Sequence, residues 1–190
     1  MRIPIVGGGP ANTAKSLARL GIATSFIGGI SRDKYGQLIE YELVSYGVDL
    51  NLARRSMLET AMAVVTLNKS GSASYEFKLS DTATFDFGDW LPEGKPEVLH
   101  VGTLSTIVEP GAGNLYEWAR NLGASIIFDP NVRVSVVSDR NKYRNAVERW
   151  ARISKIVKLS KEDLDWLGYS VNEIHGFGVE VVVVTSGILS

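Results

Sequence analysis

Between residues 98 and 185 the chain repeats one alternation: a short apolar run, then a longer stretch with a single apolar stripe. The runs are 98–101, 125–128, 155–159 and 180–185, and the stretches between them, 113–121, 139–150 and 161–167, carry helical periodicity. Parallel strands need a long crossover to reach one another, and a helix is the usual crossover. The segment is therefore expected to form a parallel sheet flanked by helices. In such sheets ligands gather beyond the carboxyl ends of the strands. The residues that follow the runs are thus the first to inspect: Gly102-Thr103, Asp129-Pro130-Asn131 and Ser160, with Gly28-Gly29 after an earlier run.

The first third repeats the pattern more weakly. A stub at 3–6 is followed by a helix over 10–20, started by Pro10 and stopped by Gly21. A strand is expected at 23–27, then a turn at Gly28-Gly29 and a helix over 33–46 closed by Gly47. The middle changes character. Runs 60–67 and 74–79 flank the polar turn Asn68-Lys69-Ser70-Gly71, and the second run alternates Tyr75, Phe77 and Leu79 with polar neighbours. That reads as a hairpin, a small lid sheet inserted in an α/β chain. The expected organisation is a first α/β part at 1–58, a β lid at 59–86, and the remaining α/β part at 87–190. Only six residues follow the run 181–184, and the first strand has at most four residues before the glycine loop, so a fragment or truncated relative of a longer protein is expected.

Composition removes several classes of function. Twenty Lys and Arg balance 21 Asp and Glu, which leaves no basic field for nucleic acid and no polybasic anchor for a membrane. There is no cysteine, hence no disulfide, thiolate nucleophile or cysteine-held zinc. No apolar run approaches membrane-spanning length and no signal sequence is visible, so a cytoplasmic, soluble protein is expected. His100 and His175 lack further ligands at metal-binding spacing and receive no role.

The string GGGPANTAKS, residues 7–16, supports competing readings. Gly9, Lys15 and Ser16 have P-loop spacing, and the run ending at Asp129 resembles a magnesium-holding strand. Against a P-loop, Ala14 stands where the second glycine belongs and Pro10 removes an N–H donor. Alternatively, Gly7-Gly8 admits close approach of backbone to a polar ligand, with Asn12 as donor and acceptor for a pair of sugar hydroxyls. A third reading is a plain glycine turn with Asn12 capping the helix.

The stretch GGGPANTAKSLARLG, with FIGGISRDKYG behind it, resembles the N-terminal signature of the ribokinase-like (PfkB) carbohydrate kinases, in which Gly-Gly is followed after three residues by Asn. FDPNVR (128–133), KLSKEDLDWLG (158–168) and VVVVTSG (181–187) follow in the order and at the separations of the fructokinase branch. The resemblance implies a three-layer ribokinase-like α/β fold, a parallel sheet flanked by helices with a small β-sheet lid, whose C-terminal part is absent from these residues. It implies an ATP- and Mg2+-dependent sugar kinase acting on fructose or a related sugar. Gly7, Gly8 and Asn12 would hold the sugar, Tyr75 or Phe77 would wall it, and Arg133 would bind a phosphate or a sugar oxygen. Asn131, Lys158, Ser160, Asp163, Thr185 and Gly187 would serve the nucleotide. Ser160 and Asp163 occupy the place of the family's Asn-x-x-Glu; read from the residues alone they are an N-cap serine and an acidic N3 residue. Asp129 reads as a cap of the turn before Pro130, and Lys158 as either a phosphate ligand or a solvated lysine.

Two departures stand out. The family's lid commonly shows Phe-Tyr-Arg where this chain has Phe77-Lys78-Leu79. The family's catalytic base lies in a Gly-Ala-Gly-Asp loop, and the nearest string here is Gly111-Ala112-Gly113-Asn114. The base is expected beyond Ser190, so that the 190 residues alone would not turn over. The expected partners are a small sugar and, through an exposed lid edge, a second copy. The competing functions are a non-catalytic chain that binds sugar or a partner, and a P-loop nucleotide hydrolase.

Overall fold

The computed structural model describes residues 3–67 and 73–186. It divides into two compact units, Met1–Trp90 and Leu91–Ser190. The first contains α1 (Gly9–Arg19), β1 (Gly29–Ser31), α2 (Lys34–Ser45), β2 (Arg54–Ser56), β3 (Met62–Leu67), β4 (Ala73–Lys78) and a 3₁₀ turn, Ala83–Phe85. Small residues let α1 pack closely: Ala11 and Ala14 are buried with Ile30, Leu43 and Val48. Asp33 caps α2 through its side chain, and Gly47 leaves the helix with φ 85°.

β3 and β4 form the expected antiparallel hairpin, with Met62 opposite Lys78, Ala63 opposite Phe77 and Val65 opposite Tyr75. Its connecting residues 68–72 lie outside the described ones. The stretch 3–6 is not a strand. The strand expected at 23–27 shrinks to one parallel bridge, Ser25 with Asp49, and pairing resumes where Gly29–Ser31 lies beside Arg54–Ser56. Packing explains the shift. A Cβ on Gly29 would sit 1.9 Å from the Ala83 carbonyl oxygen, so only glycine lets the 3₁₀ turn settle on β1.

The second unit contains β5 (Val98–Gly102), a 3₁₀ turn (Thr103–Thr106), α3 (Gly111–Arg120), β6 (Ser125–Asp129), α4 (Arg140–Ala151), β7 (Ile156–Ser160), α5 (Lys161–Leu167), α6 (Val171–Gly176) and β8 (Val181–Thr185). The four strands are all parallel and stand in the order β5-β6-β7-β8. With right-handed crossovers, sequential order sends each connecting helix to the same side of the sheet. Leu99, Val101, Ile126, Phe128, Val157 and Leu159 are buried on that side. Phe128 stacks on Trp150 of α4, and Trp150 meets Tyr116 of α3 edge-on. The residues alternating with these, including His100, Ile127, Asp129, Ile156 and Lys158, are half-buried. No helix among the described residues is long and apolar enough to cross a membrane.

Candidate functional site

The glycine loop precedes α1. Gly8 has φ 106°, a conformation that favours glycine, and no atom lies within 4 Å of where a Cβ on Gly7 or Gly8 would stand. The loop is exposed, as is Asn12. Gly8, not Asn12, is the N-cap of α1, and the cap has no side-chain hydrogen bond. Asn12 instead enters the first full turn, its N–H donating to the Gly8 carbonyl at 3.0 Å. The capping role expected of Asn12 thus falls away because the helix begins earlier.

Lys15 behaves as a helix residue. Its ammonium donates to Glu42 Oε1 at 2.7 Å and to the Val6 carbonyl at 3.4 Å, and lies 5.6 Å from the Tyr46 ring centre. A P-loop lysine must point at the phosphates its loop encloses. This one ties α1 to α2.

In the second unit the assigned residues collect at the carboxyl ends of β6, β7 and β8, where the sequence places them. The turn after β6 is clamped from two sides. Asn131 adopts φ 40°, which asparagine tolerates better than most residues. The Val132 N–H donates to Asp163 Oδ1 at 3.0 Å, and the Arg133 N–H donates to the Tyr143 hydroxyl at 3.0 Å. Arg133 Nη1 donates to the Val132 carbonyl at 2.9 Å. Burial is the main cause that pushes the Tyr143 hydroxyl above its ordinary range.

Ser160 and Asp163 form a complete capping box. Ser160 Oγ accepts from the Asp163 N–H, and Asp163 Oδ2 accepts from the Ser160 N–H, both at 3.0 Å. Asp163 is 7% exposed, and both its oxygens accept from backbone N–H groups. It therefore joins the start of α5 to the Asn131–Arg133 turn. Ser160 pairs in register with Thr185, whose hydroxyl donates to the Leu159 carbonyl at 3.5 Å. Gly187 lies outside the described residues.

Asp129 is not the turn cap its sequence context suggests. Its Oδ2 accepts from Lys158 Nζ at 3.1 Å across the β6–β7 boundary, while its buried Oδ1 has no hydrogen-bond partner. Lys158, the candidate phosphate ligand, thus has Asp129 as its counterion. His100, on the neighbouring strand, is held below its ordinary 6.5, chiefly by burial; the Asp129 charge opposes this and the Lys158 charge reinforces it. Sequence reading missed this trio because its members are brought together only by strand register.

In the first unit, Phe77 is half-buried on β4, and Tyr75 takes the strand position opposite Val65, its side chain lying outside the described ones. The Asp33–Thr60 contact at the foot of the hairpin was also missed; its local signal is the N-cap aspartate three residues before Gly36. For magnesium, among the described residues no three His, Asp or Glu side chains gather at metal-holding distance. Magnesium commonly takes only one or two carboxylates and completes its shell with water and phosphate. Both oxygens of Asp163 accept from backbone N–H groups, whereas Asp129 meets Lys158 through Oδ2 and leaves Oδ1 without a partner.

Residues 5–188 match the model of the pfkB family carbohydrate kinases. The chain belongs to this family. It is 34% identical, over 97% of its length, to a fructokinase of Rhizobium leguminosarum bv. trifolii, of which it covers 60%. It is 31% identical, over 85% of its length, to an Escherichia coli fructokinase, of which it covers 54%. The fold matches the crystal structure of fructokinase from Xylella fastidiosa with a TM-score of 0.83 and 25% identity, covering 95% of this chain and 63% of that one. It also matches fructokinase from Vibrio cholerae O395 in its fructose-, ADP- and calcium-bound form, with a TM-score of 0.79 and 27% identity, covering 94% and 62%. The chain thus spans about 60% of the length of the curated relatives it matches. The expected family and its α/β fold with a small antiparallel sheet are borne out.

Proposed function

We propose that this chain is part of an ATP-dependent sugar kinase of the fructokinase type, which transfers the γ-phosphoryl group to a hydroxyl of fructose or a related sugar. The observation that carries this reading is the convergence of Asn131, Arg133, Ser160 and Thr185 on the carboxyl ends of adjacent parallel strands in a pfkB family member. In the proposal, Gly7, Gly8 and Asn12 hold sugar hydroxyls, and the hairpin at 59–86 acts as the lid, with Tyr75 or Phe77 as its apolar wall. Arg133 offers a planar fork of donors to a phosphate or sugar oxygen. Asn131, Lys158, Ser160, Asp163, Thr185 and Gly187 serve the nucleotide, Asp163 by fixing the turn and Lys158 with its charge balanced by Asp129. Magnesium, when bound with ATP, neutralises phosphate charge. A closed cleft that excludes water favours transfer to the sugar over hydrolysis. We place the protein in the cytoplasm and assign hairpin pairing to a homodimer.

A second reading is a chain that binds a sugar without turnover. One pair of measurements on the full-length parent separates the readings: coupled ADP release, and thermal-shift binding, across fructose, ribose and 2-keto-3-deoxygluconate. Sugar-dependent ADP release supports the kinase. A raised Tm with fructose but no ADP release supports the binding chain. Sugar-independent release would point to a hydrolase, and silence with all three sugars in both assays would overturn both readings.

A further inference from the structure

Within the first unit the hairpin β3–β4 stands on two legs, and both are pinned at the foot. On the β4 side, Thr82 and Ala83 are 2% and 1% exposed. The Ala83 N–H donates to the Glu59 carbonyl at 2.9 Å, and the Ala83 carbonyl packs against Gly29 of β1. On the β3 side the anchor is a single carboxylate. Asp33 Oδ2 accepts from the Thr60 N–H at 2.9 Å, and its Oδ1 accepts from the Thr60 hydroxyl at 2.7 Å. The same Oδ1 accepts from the Tyr35 and Gly36 N–H groups, at 2.9 and 2.7 Å, which is the N-cap of α2. Ser31 Oγ in turn accepts from the Asp33 N–H at 3.0 Å. One residue therefore joins the end of β1, through its N–H, to the start of α2 and the foot of β3, through its carboxylate. Thr60 is 6% exposed, so water does not readily replace these bonds.

An N-cap requires only one acceptor oxygen. Asp33 places its second on a segment 27 residues away. We propose that Asp33 is a positioning residue for the hairpin: through Thr60 it sets the angle at which β3 leaves the α/β body, and so where the hairpin stands over a bound sugar. The second half of this statement rests on the lid reading above. Burial raises the Asp33 pKa, but hydrogen bonds from the Gly36 and Thr60 backbones and the Thr60 hydroxyl outweigh it and bring it down to about 2. The carboxylate thus stays ionised, and the junction intact, at any pH at which a cytoplasmic enzyme works.

The decisive variant is Asp33→Asn. The amide oxygen can keep the Oδ1 bonds, including the helix cap, while the amide nitrogen opposes the Thr60 N–H donor. Hydrogen exchange on the ligand-free chain is expected to quicken roughly tenfold across described hairpin amides of β3 and β4, with the first turns of α2 changing by less than about twofold. Thr60→Val removes only the hydroxyl bond and should quicken the same amides by a smaller factor. It decides the matter if Asp33→Asn fails to fold. Fructose affinity, measured by calorimetry, should fall about tenfold in Asp33→Asn. Unchanged hairpin exchange in both variants overturns the anchor, as does an equal quickening of hairpin and α2. Quickened exchange with unaltered fructose affinity overturns the positioning role. If the wild-type chain binds no fructose, the lid reading fails, while the anchor is still judged by the ligand-free exchange.

Discussion

The two units each contain an aspartate at the start of a helix that also captures a backbone N–H about thirty residues away. Asp33 caps α2 and reaches Thr60; Asp163 closes the capping box of α5 and reaches Val132. The local chemistry is nearly the same, but what hangs from it differs. The residue held by Asp163 lies just past the end of β6, a strand already paired on both sides by β5 and β7. The residue held by Asp33 lies at the foot of a two-stranded hairpin, whose stability comes from its anchorage as much as from its own ladder. A carboxylate inside a redundant network therefore contributes to stability, whereas one at a hinge sets a geometry.

Replacing Asp163 with alanine strands two backbone donors in a buried setting and is expected to cost about 2–4 kcal/mol, read from urea denaturation. A cost under about 1 kcal/mol would break the contrast by making both junctions mere caps. Lys158→Met should cost about 2 kcal/mol, because it leaves Asp129, already with one orphaned oxygen, without its counterion. Adding Asp129→Asn should return much of that loss, and a double-mutant cycle showing simple additivity would mean that the pair does not interact.

The smallest effect is in pH. His100 takes up a proton less readily folded than unfolded, so acidification below 6.5 favours the unfolded chain, and stability should decline between pH 7 and 5. His100→Gln should flatten that decline. The Asp33 junction has the opposite window: its contribution is complete above the ordinary 3.8 and is lost only as pH falls toward about 2. Hairpin exchange corrected for intrinsic rate should therefore stay level from pH 7 to 5 while the second unit weakens.

Much of the second unit was legible because its strands are written as apolar runs and its helices are punctuated at their ends. The helix α6 was missed although Ser170-x-x-Glu173 spells the capping box that the structure displays. The pair β1–β2 was not legible: three-residue strands reading Gly-Ile-Ser and Arg-Arg-Ser carry no usable period, and a packing requirement at Gly29 decides where they lie. At the candidate site, the sequence located the strand ends but not the contacts made there. Lys158 meeting Asp129, and Thr60 meeting Asp33, depend on register and on the placement of elements 29 and 27 residues apart, which neither propensity nor spacing encodes.

Strand order that follows chain order, β5-β6-β7-β8, also bears on how the second unit is made. A ribosome delivers β5 first, and among the described residues each later strand of this sheet then emerges to find its β-ladder partner on the earlier side already standing. Among the described strands of this sheet none has to be threaded between two that have paired, so their loop-closure entropy is met in small instalments. Assembly can proceed by accretion at one moving edge, at the pace of translation.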